Sequence, residues 1–125
     1  MNEYQLGSWV KGYVRAWESN DPDDIGRLFS EDAVYYTAPF RPPWRNREGI
    51  VAGWLDRRDQ PGEWRFRYEV MAIVNDLGFV RGWTTYANPP VAYSNLWVIR
   101  LGSDGRCGEF TEWWMEERPE GASGT

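Results

Sequence analysis

The sequence predicts an α+β fold: a cone-shaped, curved antiparallel sheet of four long strands plus a short strand, wrapped around three N-terminal helices. Three observations carry this. Apolar residues recur at helical spacing only before Arg58, and they alternate only after Gly62. The strongest pattern is a hairpin from Val91 to Glu116: VAYSNLWVIRL, the turn GSDG, then RCGEFTEWWME. A twisted sheet covered by helices on one face keeps a concave side, which side chains or a ligand must fill.

Leu6, Trp9, Val10, Tyr13, Val14 and Trp17 share one face of a first helix, about residues 4–19, ended by Ser19-Asn20. Asp21-Pro22 restarts a short helix. The aspartate caps it, the proline has no N–H to lose in the first turn, and Asp23 and Asp24 suit the positive end of the dipole. This helix presents Ile25, Leu28 and Phe29, and Ser30-Glu31-Asp32 breaks it. Ala33 to Thr37 is a short β-prone stretch. Three prolines exclude regular structure from Ala38 to Asn46, and Phe40 and Trp44 make this a packed loop of the kind that closes over pockets. Asn46 caps a third helix, Arg47 to about Arg58, burying Ile50, Val51, Trp54 and Leu55; Asp59-Gln60-Pro61-Gly62 stops it.

In the first strand, Trp64 to Asn75, Trp64, Phe66, Tyr68, Val70, Ala72 and Val74 take one side and Arg65, Arg67 and Glu69 the other. Asn75-Asp76-Leu77-Gly78 turns the chain, Phe79 to Ala87 returns, and Asn88-Pro89-Pro90 leads into the hairpin. Residues 1–118 read as one domain and residues 119–125 as a polar tail.

Composition removes several classes of function. There is no histidine, so Ser–His and Cys–His nucleophile pairs and most zinc or iron sites are excluded. Cys107 is the single cysteine, so no internal disulfide forms. Net charge is −5 with no basic stripe to follow a phosphate backbone, which argues against nucleic acid. No apolar run reaches the roughly 20 residues that span a bilayer. The N-terminus reads as an amphipathic helix rather than a leader, so the expectation is a cytoplasmic protein without membrane contact, metal or cofactor. Nine Trp and seven Tyr are the unusual feature, and they suit either a well-filled core and dimer face or a ring-lined pocket.

YVRAWESNDPDDIGRLFSEDAVYY, the proline-rich loop before REGIVAGW, and LWVIRLGSDGRCGEFTEWW together resemble the nuclear-transport-factor-2-like superfamily, and within it the SnoaL-like branch. The resemblance covers about residues 6–117. It implies a cone with a deep pocket between sheet and helices, and a homodimer through the outer sheet face. It does not choose an activity, because the superfamily holds ketosteroid isomerase, limonene epoxide hydrolase, polyketide cyclases, dehydratases and domains that only bind partners. Laid on ketosteroid isomerase, its tyrosine falls on Tyr13. Its base falls at Thr37 or Ala38, which cannot take a proton from carbon, and its second oxyanion donor falls on Trp97. Two pocket carboxylates flanking an arginine, as the epoxide hydrolases require, cannot be placed from the sequence.

The same alignment turns Tyr93, Asn95 and Trp97 of one arm of the hairpin, and Phe110, Glu112 and Trp114 of the other, toward the pocket; Leu96, Val98 and Trp113 then face outward. Glu112 and Tyr13 are the candidate catalytic residues. Desolvation among rings would raise the Glu112 pKa toward neutrality, and Tyr13 would donate a hydrogen bond to a ligand oxygen. Tyr36, in preference to Tyr35, joins Trp54, Tyr93, Asn95, Trp97, Phe110 and Trp114 as the expected ligand-binding set. Asp32 and the Asp21, Asp23 and Asp24 group read as turn and cap residues, not as a metal site. The expected partner is a small, largely apolar molecule, handled by cofactor-free acid–base chemistry if the protein is an enzyme. The alternative is a non-catalytic, dimerising or partner-binding domain with a plugged pocket.

Overall fold

Side chains that replace missing backbone partners set the helix starts. In the computed structural model, which describes residues 1–117, α1 (Glu3–Ser19) opens on a capping box: Asn2 accepts from the Gln5 N–H and Gln5 reaches back to the Asn2 N–H. It closes on Asn20 in the left-handed region, whose N–H reaches Ala16 O. α2 (Pro22–Gly26) is a single turn capped by Asp21, whose side chain accepts from the Asp23 N–H. α3 (Asn46–Asp56) is tied at its start by Asn46 Oδ1, which accepts from the Gly49 N–H. The tail expected at residues 119–125 lies outside the described residues.

Six strands form one sheet in the order β2-β1-β6-β5-β4-β3. They are β1 (Phe29–Tyr36), β2 (Trp44–Arg45), β3 (Trp64–Val74), β4 (Leu77–Ala87), β5 (Pro90–Leu101) and β6 (Cys107–Glu116). β3 to β6 form an antiparallel meander, whereas β1 joins β6 in parallel. The β5–β6 turn needs Gly105, whose φ is +80°.

The structure corrects the sequence reading at four places. Phe29 is not on the second helix but opens β1, because β6 supplies partners for this stretch of backbone; Cys107 N–H donates to Leu28 O at 2.8 Å. The proline-rich segment carries a two-residue strand, Trp44–Arg45, paired with Tyr35 and Val34. The β3–β4 turn is shorter than expected, since Leu77 and Gly78 already pair with Val74 and Ile73. An irregularity between Val70 and Ala72 shifts the alternation, so Ile73 packs against the core while Ala72 and Val74 are exposed.

The concave face holds the core. Leu6, Trp9, Val10, Tyr13 and Ala16 of α1 pack onto Val80, Trp97, Ile99 and Phe110 of the sheet. Rings dominate: Phe66 stacks on Trp97 at 4.9 Å between centroids, and Trp97 meets Tyr13 at 4.6 Å. Gly82 of β4 lets the Phe66 ring lie flat on the sheet, since a Cβ there would sit 2.5 Å from it. Along β5, buried residues Asn95, Trp97, Ile99 and Leu101 alternate with less buried ones, so the inward register inferred for the hairpin is the one adopted.

Candidate functional site

The rings fill the narrow part of the cone and leave its wide end open. A cavity of about 540 Å³ lies there. Its walls come from α1 (Tyr13, Trp17), β1 (Tyr35), the end of α3 and the segment after it (Trp54, Asp59), β4 (Thr84, Tyr86), β5 (Tyr93, Asn95) and β6 (Glu112, Trp114).

Glu112 sits in this wall directly across the β5–β6 ladder from Trp97. Trp97 Nε1 donates to Glu112 Oε2 at 3.2 Å, and the Tyr35 hydroxyl donates to Oε1 at 3.3 Å. Tyr35 also shares a 2.7 Å hydrogen bond with the Tyr13 hydroxyl. Burial pushes the Glu112 carboxyl up from 4.5 to about 7; the Trp97 and Tyr35 hydrogen bonds oppose this, and the Asp59 charge adds to it. Burial, and then the Glu112 charge, push both Tyr13 and Tyr35 above the usual phenol range, so both stay protonated. The group is a carboxyl able to gain or lose a proton near neutrality, joined to a chain of two hydroxyls that ends at the cavity.

A second carboxylate stands in the same wall. Asp59 Oδ2 accepts from Trp17 Nε1 at 2.9 Å and from the Tyr86 hydroxyl at 2.8 Å. It repeats the Glu112 arrangement, one indole N–H and one phenol O–H on each carboxyl. Asn95 is 8% exposed, and its Oδ1 accepts from the Thr84 hydroxyl at 2.8 Å. Arg41, Arg57, Arg58 and Glu63 stand exposed at the rim. Among the described residues, no group of three His, Cys, Asp or Glu side chains is arranged to hold a metal ion. Cys107 is buried away from the cavity with its thiol pushed up to about 12, which leaves no nucleophilic thiolate.

Of the residues singled out from the sequence, Glu112, Tyr13, Trp54, Tyr93, Asn95 and Trp114 lie in the cavity wall. Three do not. Tyr36 is replaced by its neighbour Tyr35, which pairs with Phe110 in parallel register and so shares the inner face. Trp97 and Phe110 do point inward, but at 1% and 0% exposed they lie under the floor, covered by Tyr13 and Trp9. Trp97 reaches the site only through its N–H on Glu112. The Tyr13 hydroxyl is engaged with Tyr35 rather than free for a ligand. Asp59, Trp17, Tyr86 and Thr84 escaped the sequence reading. Asp59 looks locally like a helix stop, and its partners lie 42 and 27 residues away.

The fold is similar to the nuclear-transport-factor-2-like cone. The SnoaL-like domain family matches residues 10–110, and the chain belongs to that family. No curated protein sequence matches it. Among solved structures it is similar to a ketosteroid isomerase-like protein from Erwinia carotovora atroseptica, with TM-score 0.66, 19% identity and coverage of 95% of this chain and 100% of that one. It is also similar to an NTF-2 like protein of unknown function from Burkholderia xenovorans, with TM-score 0.70, 16% identity and coverage of 99% and 91%. At these identities the likeness is one of fold. No helix among the described residues is long and apolar enough to cross a membrane.

Proposed function

We propose that this protein binds a small, largely apolar, ring-containing molecule in the wide end of the cone and acts on it by proton transfer through Glu112. The observation that carries the reading is Glu112 itself: a carboxyl at a cavity wall, held by two neutral donors, its pKa raised by burial to about 7. An acid–base group is most effective when its pKa lies near the working pH. The cavity exceeds the roughly 300 Å³ at which ligand sites begin, and rings supply much of its wall.

The chemistry follows from the hydrogen bonds. Ionised Glu112 accepts from Tyr35 and Trp97 and can take a proton from a ligand carbon or hydroxyl. Once protonated, it can hand that proton back at a second position, which is an isomerisation, or to a leaving oxygen, which is a dehydration. Cyclisation and hydrolysis need the same group. The steroid-isomerase route is not supported, because Thr37 and Ala38 stand in the wall where that base would be. The ring-filled tip beneath the cavity, with Trp97 and Phe110 fully buried, favours a second reading, a domain that binds a ligand or partner without turnover.

Tryptophan fluorescence titrated with steroids, terpenoids and aromatic polyketides tests the proposal, together with native mass spectrometry for a co-purified molecule. A quenching compound should be converted by the native chain, and Glu112→Gln should lose turnover by about 10²–10⁴-fold at saturating concentrations of it. Unaltered turnover in that variant would remove Glu112 from the chemistry. Silence across the panel, with nothing co-purified, would leave the partner-binding domain.

A further inference from the structure

Three carboxylates and three arginines line the cavity; Glu63 and the arginines are exposed at its rim, while Asp59 and Glu112 stand in the wall with no ion-pair partner among the described residues. Each of these two takes one indole N–H and one phenol O–H, which orient the oxygens without cancelling the charge. The ion pairs among the described residues are Arg27–Asp24, Arg81–Glu69 and Arg100–Asp76, all away from this cavity. Arg41, Arg57 and Arg58 are at the rim, exposed, where solvent weakens their reach inward. The Asp59 charge acts on Glu112, and the charges of both act on Tyr13 and Tyr86. Much of the remaining wall is ring: Tyr13, Trp17, Trp54, Tyr86, Tyr93 and Trp114. Asn95 is more than nine-tenths buried and lines the cavity; its oxygen is taken by Thr84, and its amide N–H groups have no acceptor among the described residues.

We infer that the ligand is an organic cation: a protonated or quaternary amine on an apolar, ring-bearing body, its charge between Asp59 and Glu112 and against the surrounding rings. This rests on the ligand-binding reading above and names the ligand class. Aromatic faces attract a desolvated cation through their quadrupoles, and two unneutralised carboxylates add direct charge attraction. Asn95 then meets an acceptor oxygen elsewhere on the same molecule.

Benzyltrimethylammonium tests this, because it has no proton to lose. It is compared with neopentylbenzene, its neutral isostere, and with phenylacetate, by tryptophan fluorescence. The cation should bind at least tenfold tighter than the isostere, with phenylacetate weakest. In Asp59→Asn and Glu112→Gln the cation should lose that advantage while the isostere keeps its affinity. A pH series on the unaltered chain gives a second measure. The groups facing Glu112 are Tyr13 from α1, Tyr35 from β1, Tyr86 from β4, Tyr93 from β5 and Asp59 after α3, with Glu63 and the three arginines at the rim. Of these, Tyr13, Tyr35 and Tyr86 are pushed upward by burial and stay neutral. Cation affinity should therefore rise several-fold as Glu112 ionises between about pH 6 and 8. Equal or tighter binding of the isostere overturns the inference and leaves the pocket reading standing. Tighter phenylacetate binding overturns it in favour of an anionic ligand at the rim arginines. No binding by any of the three overturns both.

Discussion

Glu112 is a carboxyl that burial holds above its ordinary range. Its folded pKa, about 7, lies above its unbonded value of 4.5. The folded chain therefore holds this proton more tightly than the unfolded chain. Below about pH 4.5 both states are protonated and Glu112 costs nothing. Between 4.5 and 7 the unfolded state gains charge first, so the native state loses stability as pH rises, and above 7 the full penalty remains. The whole window amounts to roughly 1–3 kcal/mol, discounted because the carboxyl faces an open cavity. Glu112→Gln should therefore gain melting temperature relative to the native chain as pH is raised from 5 to 8, by a few degrees. Calorimetry at four pH values checks this, and parallel curves would mean that Glu112 does not titrate in this range. Tyr35 teaches a different lesson at the same scale. Tyr35 and Tyr36 are chemically alike, and only the parallel pairing of Tyr35 with Phe110 decides which one meets Glu112.

At the scale of elements, the sheet depends on two glycines for different reasons. Gly82 in β4 lies under the Phe66 ring, which in turn stacks on Trp97. A methyl group there would sit 2.5 Å from Phe66, and no flexible chain end is available to yield. Gly82→Ala should cost about 1–3 kcal/mol and disturb the Trp97 environment, visible as a changed near-ultraviolet circular dichroism spectrum. Gly105 has open space around it but a φ of +80°. Gly105→Ala should cost about 1 kcal/mol through the backbone alone and leave that spectrum unchanged. Equal effects on the spectrum would mean that the Phe66–Gly82 contact does not set the packing of the core. The Asp21 cap, the strand alternation up to Val70 and the GSDG turn were legible because each is written within a few residues; the third helix instead begins at Asn46 itself, with Arg45 in the cap position. The parallel β1–β6 pairing, the β2 strand and the shift after Val70 were not legible, because each needs a partner from a distant part of the chain.

At the scale of the molecule, the outer face of the sheet remains open. Met71, Trp113 and Met115 are 49%, 47% and 66% exposed on it, and Phe79, Leu96 and Val98 lie among them. Arg67 covers part of Trp83 at 4.0 Å, and Arg81 meets Glu69, so the face is edged rather than sealed by charge. An apolar sheet face of this extent is commonly covered by a partner. The expected assembly is a homodimer joined face to face. Sedimentation should give twice the chain mass, and Leu96→Arg with Trp113→Arg should give a monomer. A native chain that sediments as a monomer at micromolar concentration would end this expectation.

The amino-acid sequence by itself determined the class of fold, the family and the face of each hairpin strand, and so the turn of Glu112 toward the concave side. Periodicity, caps and turns are local properties, and they survive any arrangement of the rest. Only the tertiary structure decided what stands beside Glu112. Tyr35, Trp97 and Tyr13 come from three separate elements, and Asp59 and Tyr86 from two more segments, with Trp17 on the same helix as Tyr13. A pKa depends on distance and burial, and a cavity on which rings fill the cone and which stop short. Both are fixed when the helices settle into the sheet, and neither is written in any one stretch of the chain.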